Sequence, residues 1–208
     1  MPLSKYIDTL LQFAGSGDLE YEIVRAKKEY FARFGVSSNP DGIFENYMLN
    51  FVDWYVFDRP LTNTGKTPLW TFLDRFSNTL DEKELEIYRD MTRNIHSLFQ
   101  VIKIGDEEVK IKELFDENKF IVKDEMPKGF CKNEIFEARI IPYGQDYCFG
   151  EAFMFHPLQA VKIILEKIKR IKTSYEPLER LKLIQDLASR KFKLEQYRHV
   201  DALKFYKD

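Results

Sequence analysis

Three charged residues beside an aromatic stretch are the first candidates for chemistry in this sequence. Asp53, Asp58 and Arg59 lie within or directly after residues 44–57, a segment rich in aromatic side chains. A carboxyl group enclosed by aromatic rings has a raised pKa and can act as a general acid or base. The same residues can instead cap a helix or form a structural ion pair. We treat them as a polar cluster whose role, structural or functional, stays open.

No motif assigns a catalytic, metal or cofactor site. Gly65-Lys66-Thr67 is similar to the end of a phosphate-binding loop, but that signature needs a glycine at position 60, which is Pro60 here. His96, His156 and His199 share no metal-binding spacing, and no serine, threonine or cysteine stands in a nucleophile motif. We therefore predict no catalytic residue, no metal and no cofactor.

Composition and cysteine content favour a cytoplasmic protein. The 208 residues are 44% hydrophobic and 15% aromatic, enough for a substantial core. Cys131 and Cys148 are the only cysteines and form no CxxC pair, so we expect two reduced thiols rather than a disulfide framework or a zinc site. No stretch has the length of a membrane span, and the N-terminal residues do not follow a signal-peptide pattern.

Charge is unevenly distributed along a chain whose net charge is −2. Residues 157–208 contain 13 Lys and Arg against 7 Asp and Glu, whereas the remaining residues contain 19 against 27. A basic segment of this kind is compatible with binding to nucleic acid or to an acidic partner, and equally with docking onto the acidic body of its own chain.

The block from Ser97 to Phe155 is the only long one with a period of two, which is typical of β-strands. Its apolar runs are separated by turn residues such as Gly105-Asp106. Five short strands with short links predict a small, strongly bent antiparallel sheet or a partly closed barrel. The predicted strands are 99–104, 109–111, 120–122, 135–141 and 147–155.

Apolar residues at helical spacing predict five helices before this block and a helical segment after it. Capping signals place helix starts at Asp18, Asn39-Pro40, Thr67-Pro68 and Thr79. Aromatic side chains cover more than one face of the helix that ends near Phe57, so we expect this helix to be central in the fold. The residues expected to join the helices to the sheet are Trp54, Tyr55, Phe57, Trp70 and Phe72.

These elements predict an α+β fold with an N-terminal helical bundle, a five-stranded antiparallel barrel-like sheet and C-terminal helices. The boundaries are 1–96 for the helical part, 97–156 for the β part and 157–208 for the basic helical segment. Because no linker-like composition separates them, we expect one compact unit.

Three stretches carry a resemblance to a known family. Residues 51–61, FVDWYVFDRPL, lead to residues 65–73, GKTPLWTFL, and residues 138–142, ARIIP, follow within the β block. This pattern resembles an uncharacterised family of bacterial cytosolic proteins, some of which carry a SEC-C zinc motif. The resemblance covers about residues 44–153, and the SEC-C motif is absent, so it implies the fold but neither zinc binding nor an activity.

The function predicted from these observations is a non-catalytic binding or interaction module that acts through a protein partner or through self-association. The first alternative is nucleic-acid binding by the β-barrel face together with the basic C-terminal helices. A further alternative is an enzyme whose pocket the sequence does not reveal.

The nucleic-acid alternative depends on aromatic residues that stack on bases and on cations that contact phosphates. Acidic residues of the same block oppose it by repelling phosphate: Asp106, Glu107, Glu108, Asp116, Glu117, Asp124 and Glu125. The candidate binding residues are Phe120, Tyr143, Tyr147, Arg139, Lys167, Lys169 and Arg170, with Lys119, Lys123, Lys128 and Lys132 as further cations of the β block.

Overall fold

The computed structural model describes residues 3–34, 44–123, 129–171, 177–197 and 199–207. The helix start predicted at Asn39-Pro40 and the candidate Lys128 lie outside these residues. Contacts divide the chain into a first unit, Met1–Ile95 with Ile141–Ala152, and a second unit, His96–Ile140 with Phe153–Asp208. No helix in the described ranges combines the length and the apolar character needed to cross a bilayer.

The first unit contains the five helices predicted before the β block. They are α1 (Ser4–Ala14), α2 (Glu20–Ala32), α3 (Phe44–Phe57), α4 (Pro68–Phe76) and α5 (Glu82–Met91), with a 3₁₀ turn at Gly17–Leu19.

The structure confirms one predicted helix cap of this unit and corrects two. Thr67 caps α4 as predicted, because its side chain accepts a hydrogen bond from the backbone N–H of Trp70. Asp81, rather than Thr79, caps α5 by accepting from the N–H of Glu84 at 2.8 Å. Asp18 caps no helix. Its carboxylate instead accepts two hydrogen bonds from the guanidinium of Arg75, at 2.9 and 2.6 Å.

Helix α3 buries one face completely. Tyr47, Phe51 and Tyr55 recur every four residues and are at most 3% exposed. The ring of Phe51 stacks on that of Tyr55, and the Tyr55 hydroxyl donates to the backbone carbonyl of Ala14 on α1. Burial raises the pKa of Tyr55 to about 12. This face therefore anchors α3 in the core of the first unit.

Trp70 was expected in the core but is 48% exposed. The buried residues of α4 are Pro68, Leu69, Thr71, Phe72 and Leu73. Successive side chains of a helix are about 100° apart around its axis, so the indole of Trp70 lies on the side of α4 that the buried residues do not occupy.

All five predicted strands are present and form a ring in the order β1-β2-β3-β5-β4. Neighbours in a closed ring can alternate in direction throughout only when the number of strands is even. With five strands at least one neighbouring pair runs parallel, so the sheet is mixed and the prediction of an antiparallel sheet was wrong. The strands are β1 (Ile95–Ile104), β2 (Glu108–Glu113), β3 (Lys119–Lys123), β4 (Ile135–Tyr143) and β5 (Asp146–Phe155).

Strand β2 pairs in antiparallel orientation with both β1 and β3. Val109 and Ile111 of β2 are fully buried, and Ile111 lies opposite Val101 of β1 and Phe120 of β3. The register between β1 and β2 shifts after Val101, so that Lys103 rather than Ile102 lies opposite Lys110.

The second unit is completed by α6 (Val161–Ile171), α7 (Pro177–Gln196) and the short α8 (Leu203–Tyr206). The C-terminal helices predicted after the β block are therefore present. Apolar side chains of β1 and β4 pack with those of α6 and α7 to form the core of this unit. Its members include Leu98, Ile135, Ile164, Leu187 and Tyr206.

Candidate interaction site

An apolar groove opens on the first unit beside the buried face of α3. Two neighbouring rows of α3 side chains, spaced four residues apart, line it: Met48, Val52 and Val56 form one row, and Leu49, Asp53 and Phe57 form the other. Ile7 and Leu11 of α1 and Glu151 and Ala152 of β5 complete the lining. We call this feature the α3 groove.

The size and lining of the α3 groove decide what it can hold. Its volume is about 110 Å³, whereas pockets for metabolites and cofactors measure about 300–1,000 Å³. An apolar cavity of about 150 Å³ accommodates a benzene ring. The α3 groove therefore matches one aliphatic side chain in size and is too small for a cofactor.

The floor of the α3 groove is buried and its rim is open. Ile7, Val56 and Ala152 are at most 7% exposed, while Leu49 is 45% exposed. A leucine that is nearly half exposed beside an apolar groove extends the apolar surface out to solvent. The carboxylates of Asp53 and Glu151, both half-buried, add acidic groups to the lining.

The predicted polar cluster is not one site. Asp53 lines the α3 groove and Asp58 is exposed at the end of the helix. Arg59 is 5% exposed and belongs to an ion-pair network with α2. Its guanidinium donates to Glu29 at 2.7 and 3.1 Å and to Glu22 at 2.7 Å.

The Arg59 network has the properties of a structural ion pair. The hydrogen bond from Arg59 lowers the pKa of Glu29, and the bond to Glu29 raises the pKa of Arg59. Each partner therefore stabilises the charged form of the other. Since the guanidinium uses three N–H groups on these two carboxylates, Arg59 fastens the end of α3 to α2.

The residues predicted to bind nucleic acid are dispersed. Lys169 and Arg170 are exposed and Lys167 is half-buried on α6, while Tyr143, at 41% exposure, and the half-buried Tyr147 belong to the first unit. Phe120 is half-buried and its ring contacts that of Phe99 at 6.4 Å between centroids. Arg139 is 1% exposed and so offers no surface to a phosphate.

The burial of Arg139 has a simple cause. Ala138, Arg139, Ile140 and Ile141 are all at most 3% exposed, so β4 is covered on both faces. In such a strand the alternation of side chains no longer separates an inner from an outer face.

Two histidines are engaged inside the second unit. His96 Nε2 lies 2.9 Å from the carboxylate of Glu137. His156 is 1% exposed, and its Nδ1 lies 2.9 Å from the hydroxyl of Tyr206. Burial, with a smaller contribution from the charge of Lys191, lowers the pKa of His156 to about 3. The imidazole of His156 is therefore neutral at physiological pH.

Sequence reasoning identified Asp53 but missed the apolar residues of the α3 groove. The available signal was that Met48, Leu49 and Val52 continue the apolar pattern of α3 beyond one buried face. Such a helix has two apolar surfaces, and the second one lines the α3 groove.

Comparison with known proteins adds one finding. No curated protein and no solved structure matches the chain. A model of a family of unknown function, DUF7986, matches residues 26–183, which is about three quarters of the sequence and includes α3, the whole sheet and α6. The chain belongs to this family of unknown function.

Proposed function

We propose that the protein is a non-catalytic interaction module that binds a partner through the α3 groove. The observation that supports this function best is an apolar groove of about 110 Å³ with a half-exposed leucine on its rim. A space of this size receives one side chain of a partner and does not enclose a metabolite. Side chains anchored in apolar pockets contribute most of the affinity in many protein interfaces.

The lining indicates the chemistry of the partner. An aliphatic side chain such as leucine, isoleucine or methionine fits between the Met48-Val52-Val56 row and Leu49. Glu151 at the wall favours a lysine or arginine next to that side chain. The proposed ligand is therefore a segment in which an apolar residue is flanked by basic ones, from another protein or from a second copy of this chain.

Site-directed photo-cross-linking tests this function. A benzophenone amino acid replaces Leu49, and a matched control carries the same group at Tyr21, which is 85% exposed on α2 of the same unit. We expect position 49 to give one discrete adduct that position 21 does not give. Mass spectrometry of the adduct identifies the bound segment and separates a foreign partner from a second copy.

Affinity measurements with the identified segment complete the test. Leu49→Glu is expected to weaken binding at least tenfold in calorimetry, whereas Tyr21→Glu leaves it unchanged. Equal adducts from both positions, or no adduct at position 49, would refute the α3 groove as the binding site.

The proposal places this function in the bacterial cytosol. The family resemblance described above is to bacterial cytosolic proteins, and both cysteines are free thiols, as is usual in reducing compartments. Fractionation of the source cells is expected to recover the protein with cytosolic markers, and recovery with exported proteins would contradict this location.

A further inference from the structure

The solvent face of β2 carries Glu108, Lys110 and Lys112. Lys110 is exposed between Val109 and Ile111, which are fully buried. Lys112 follows Ile111, and its side chain is 30% exposed. Because successive residues of a strand point to opposite faces, Lys110 and Lys112 both project away from the interior.

The neighbouring strands add three more lysines to this surface. Lys103 of β1 lies directly opposite Lys110, and Lys119 of β3 lies directly opposite Lys112. Lys123 is exposed near the end of β3. We call the surface formed by these five residues the lysine face; it belongs entirely to the second unit.

Carboxylates in the part of the chain that the structure describes neutralise only part of this charge. Lys112 pairs with Glu117 at 2.5 Å and Lys123 pairs with Glu108 at 3.0 Å. The other three lysines of the face, Lys103, Lys110 and Lys119, make no ion pair with any residue that the structure describes. Counted over the described residues, two carboxylates balance five lysines, which leaves a surplus of three positive charges on the lysine face.

This arrangement is unfavourable for the isolated sheet. Residues directly opposite each other in neighbouring strands have Cβ atoms about 5 Å apart, and like charges at that distance destabilise the pairing. Lysines often protect exposed sheet edges from aggregation. That explanation does not apply to Lys110 and Lys112, because β2 is paired on both sides.

We propose that the lysine face binds the phosphate backbone of a nucleic acid. Phosphates placed between the paired lysines would replace the repulsion with attraction and release counterions. Lysines along one strand are about 7 Å apart and those on adjacent strands about 5 Å. The face thus presents a flat array of cations to several phosphates rather than a pocket for one.

The composition of the surface favours nucleic acid over an acidic protein. Protein interfaces are depleted in lysine and enriched in aromatic residues, whereas interfaces with nucleic acid are strongly positive. Ile121, at 38% exposure, is the one markedly exposed apolar side chain among the described residues of β2 and β3. In small five-stranded barrels that bind oligonucleotides, strands 2 and 3 form the binding face.

Three of the seven acidic residues that oppose this function are engaged by cations, and Asp124 and Glu125 lie outside the described residues. Glu108 and Glu117 pair with lysines of the face itself. Asp116 receives two hydrogen bonds from Arg180, at 2.7 and 2.6 Å. Asp106 and Glu107 lie in the turn between β1 and β2, at one end of the lysine face.

The test is fluorescence anisotropy with the full-length protein and three labelled 20-nucleotide probes: single-stranded RNA, single-stranded DNA and duplex DNA. When three phosphates of a single strand are neutralised, the logarithm of the association constant falls with the logarithm of the salt concentration with a slope of about −2. The dissociation constant is therefore expected to rise about 20-fold between 50 and 200 mM salt. Poly-glutamate, added as a competitor at equal total charge, shows whether the lysine face prefers nucleic acid or any acidic polymer.

Two triple variants with equal loss of charge locate the site. Lys103→Gln, Lys110→Gln and Lys119→Gln together are expected to weaken binding at least tenfold at 50 mM salt. The same variant is expected to keep or increase its thermal stability, since it removes like-charge pairs. The matched control changes three of the four cations of α6 to glutamine: Lys167, Lys169 and Arg170.

The control variant is expected to bind as the unmodified protein does. Equal losses in both variants, absence of binding to all three probes at 50 mM salt, or equally strong competition by poly-glutamate would each overturn the proposal.

Discussion

His156 is expected to make the stability of the second unit fall in mild acid. The imidazole is 1% exposed, and its Nε2 has no hydrogen-bond partner among the described residues. In the folded protein its pKa is lowered from 6.5 to about 3, chiefly because burial disfavours the charged ring and secondarily because of the positive charge of Lys191. Between these two pH values the unfolded chain binds a proton that the folded protein does not.

The size of the effect follows from this difference. The contribution of His156 to the free energy of unfolding is fully present above pH 6.5 and is lost as the pH falls towards 3. Each pH unit within that range costs about 1.4 kcal/mol. Going from pH 7.5 to pH 5 therefore costs about 2 kcal/mol.

The assay has to report on the second unit. Trp54 and Trp70, the only tryptophans, belong to the first unit, so their fluorescence does not follow unfolding around His156. Urea unfolding at both pH values is better followed by hydrogen exchange at amides of α6 and α7. His156→Gln is the matched control, because glutamine keeps a hydrogen-bonding group opposite Tyr206 and does not titrate.

The comparison of the two proteins removes the contributions of all other titrating groups. We expect the unmodified protein to lose about 2 kcal/mol more than His156→Gln between pH 7.5 and pH 5. Equal losses would show that His156 is solvated or protonated in the folded state, and the reasoning from burial would fail.

Arg59→Met is expected to lower the free energy of unfolding of the first unit by about 3 kcal/mol, the low end for a broken buried ion pair, because Glu29 is 40% exposed and screened by solvent. Urea unfolding followed by tryptophan fluorescence measures this loss, and a loss below 1 kcal/mol would show that Glu22 and Glu29 are satisfied without Arg59. Trp54→Ala is expected to cost about 2 kcal/mol, since the half-buried indole packs against Tyr30 and under the guanidinium of Arg33. Urea unfolding followed by circular dichroism measures both tryptophan variants, and Trp70→Ala is expected to lower the free energy of unfolding by less than about 1 kcal/mol. Equal losses from the two variants would contradict the difference in burial between Trp54 and Trp70.

Local patterns were sufficient to predict most helices and all five strands. Alternation of apolar residues in β2 and helical spacing in α4 and α6 each identify the buried face of one element. Thr67 marks a helix start because its side chain accepts a hydrogen bond from the backbone N–H of Trp70. These signals act over a few residues, so they are present in the sequence itself. Strand direction is different: closure of five strands into a ring requires a parallel pair, and no single strand carries that information.

The candidate sites show the same division. Asp53 was identified as a residue of interest because it lies among aromatic residues of its own helix. Arg59 was identified too, but its partners Glu22 and Glu29 lie 37 and 30 residues away in sequence. No local pattern connects residues so far apart, because the packing of α2 on α3 brings them together.

The sequence by itself determined where the chain forms helices and strands, because period and capping are properties of neighbouring residues. Tertiary structure alone decided which charges reach solvent. Phe99 and Val101 are buried, so strict alternation along β1 would point Lys103 inward as well. The pairing with β2 skips Ile102, and this irregularity turns Lys103 outward, opposite Lys110. Arg139, by contrast, is enclosed because both faces of β4 are covered. Burial depends on what packs against an element, and that is set by residues distant in the sequence.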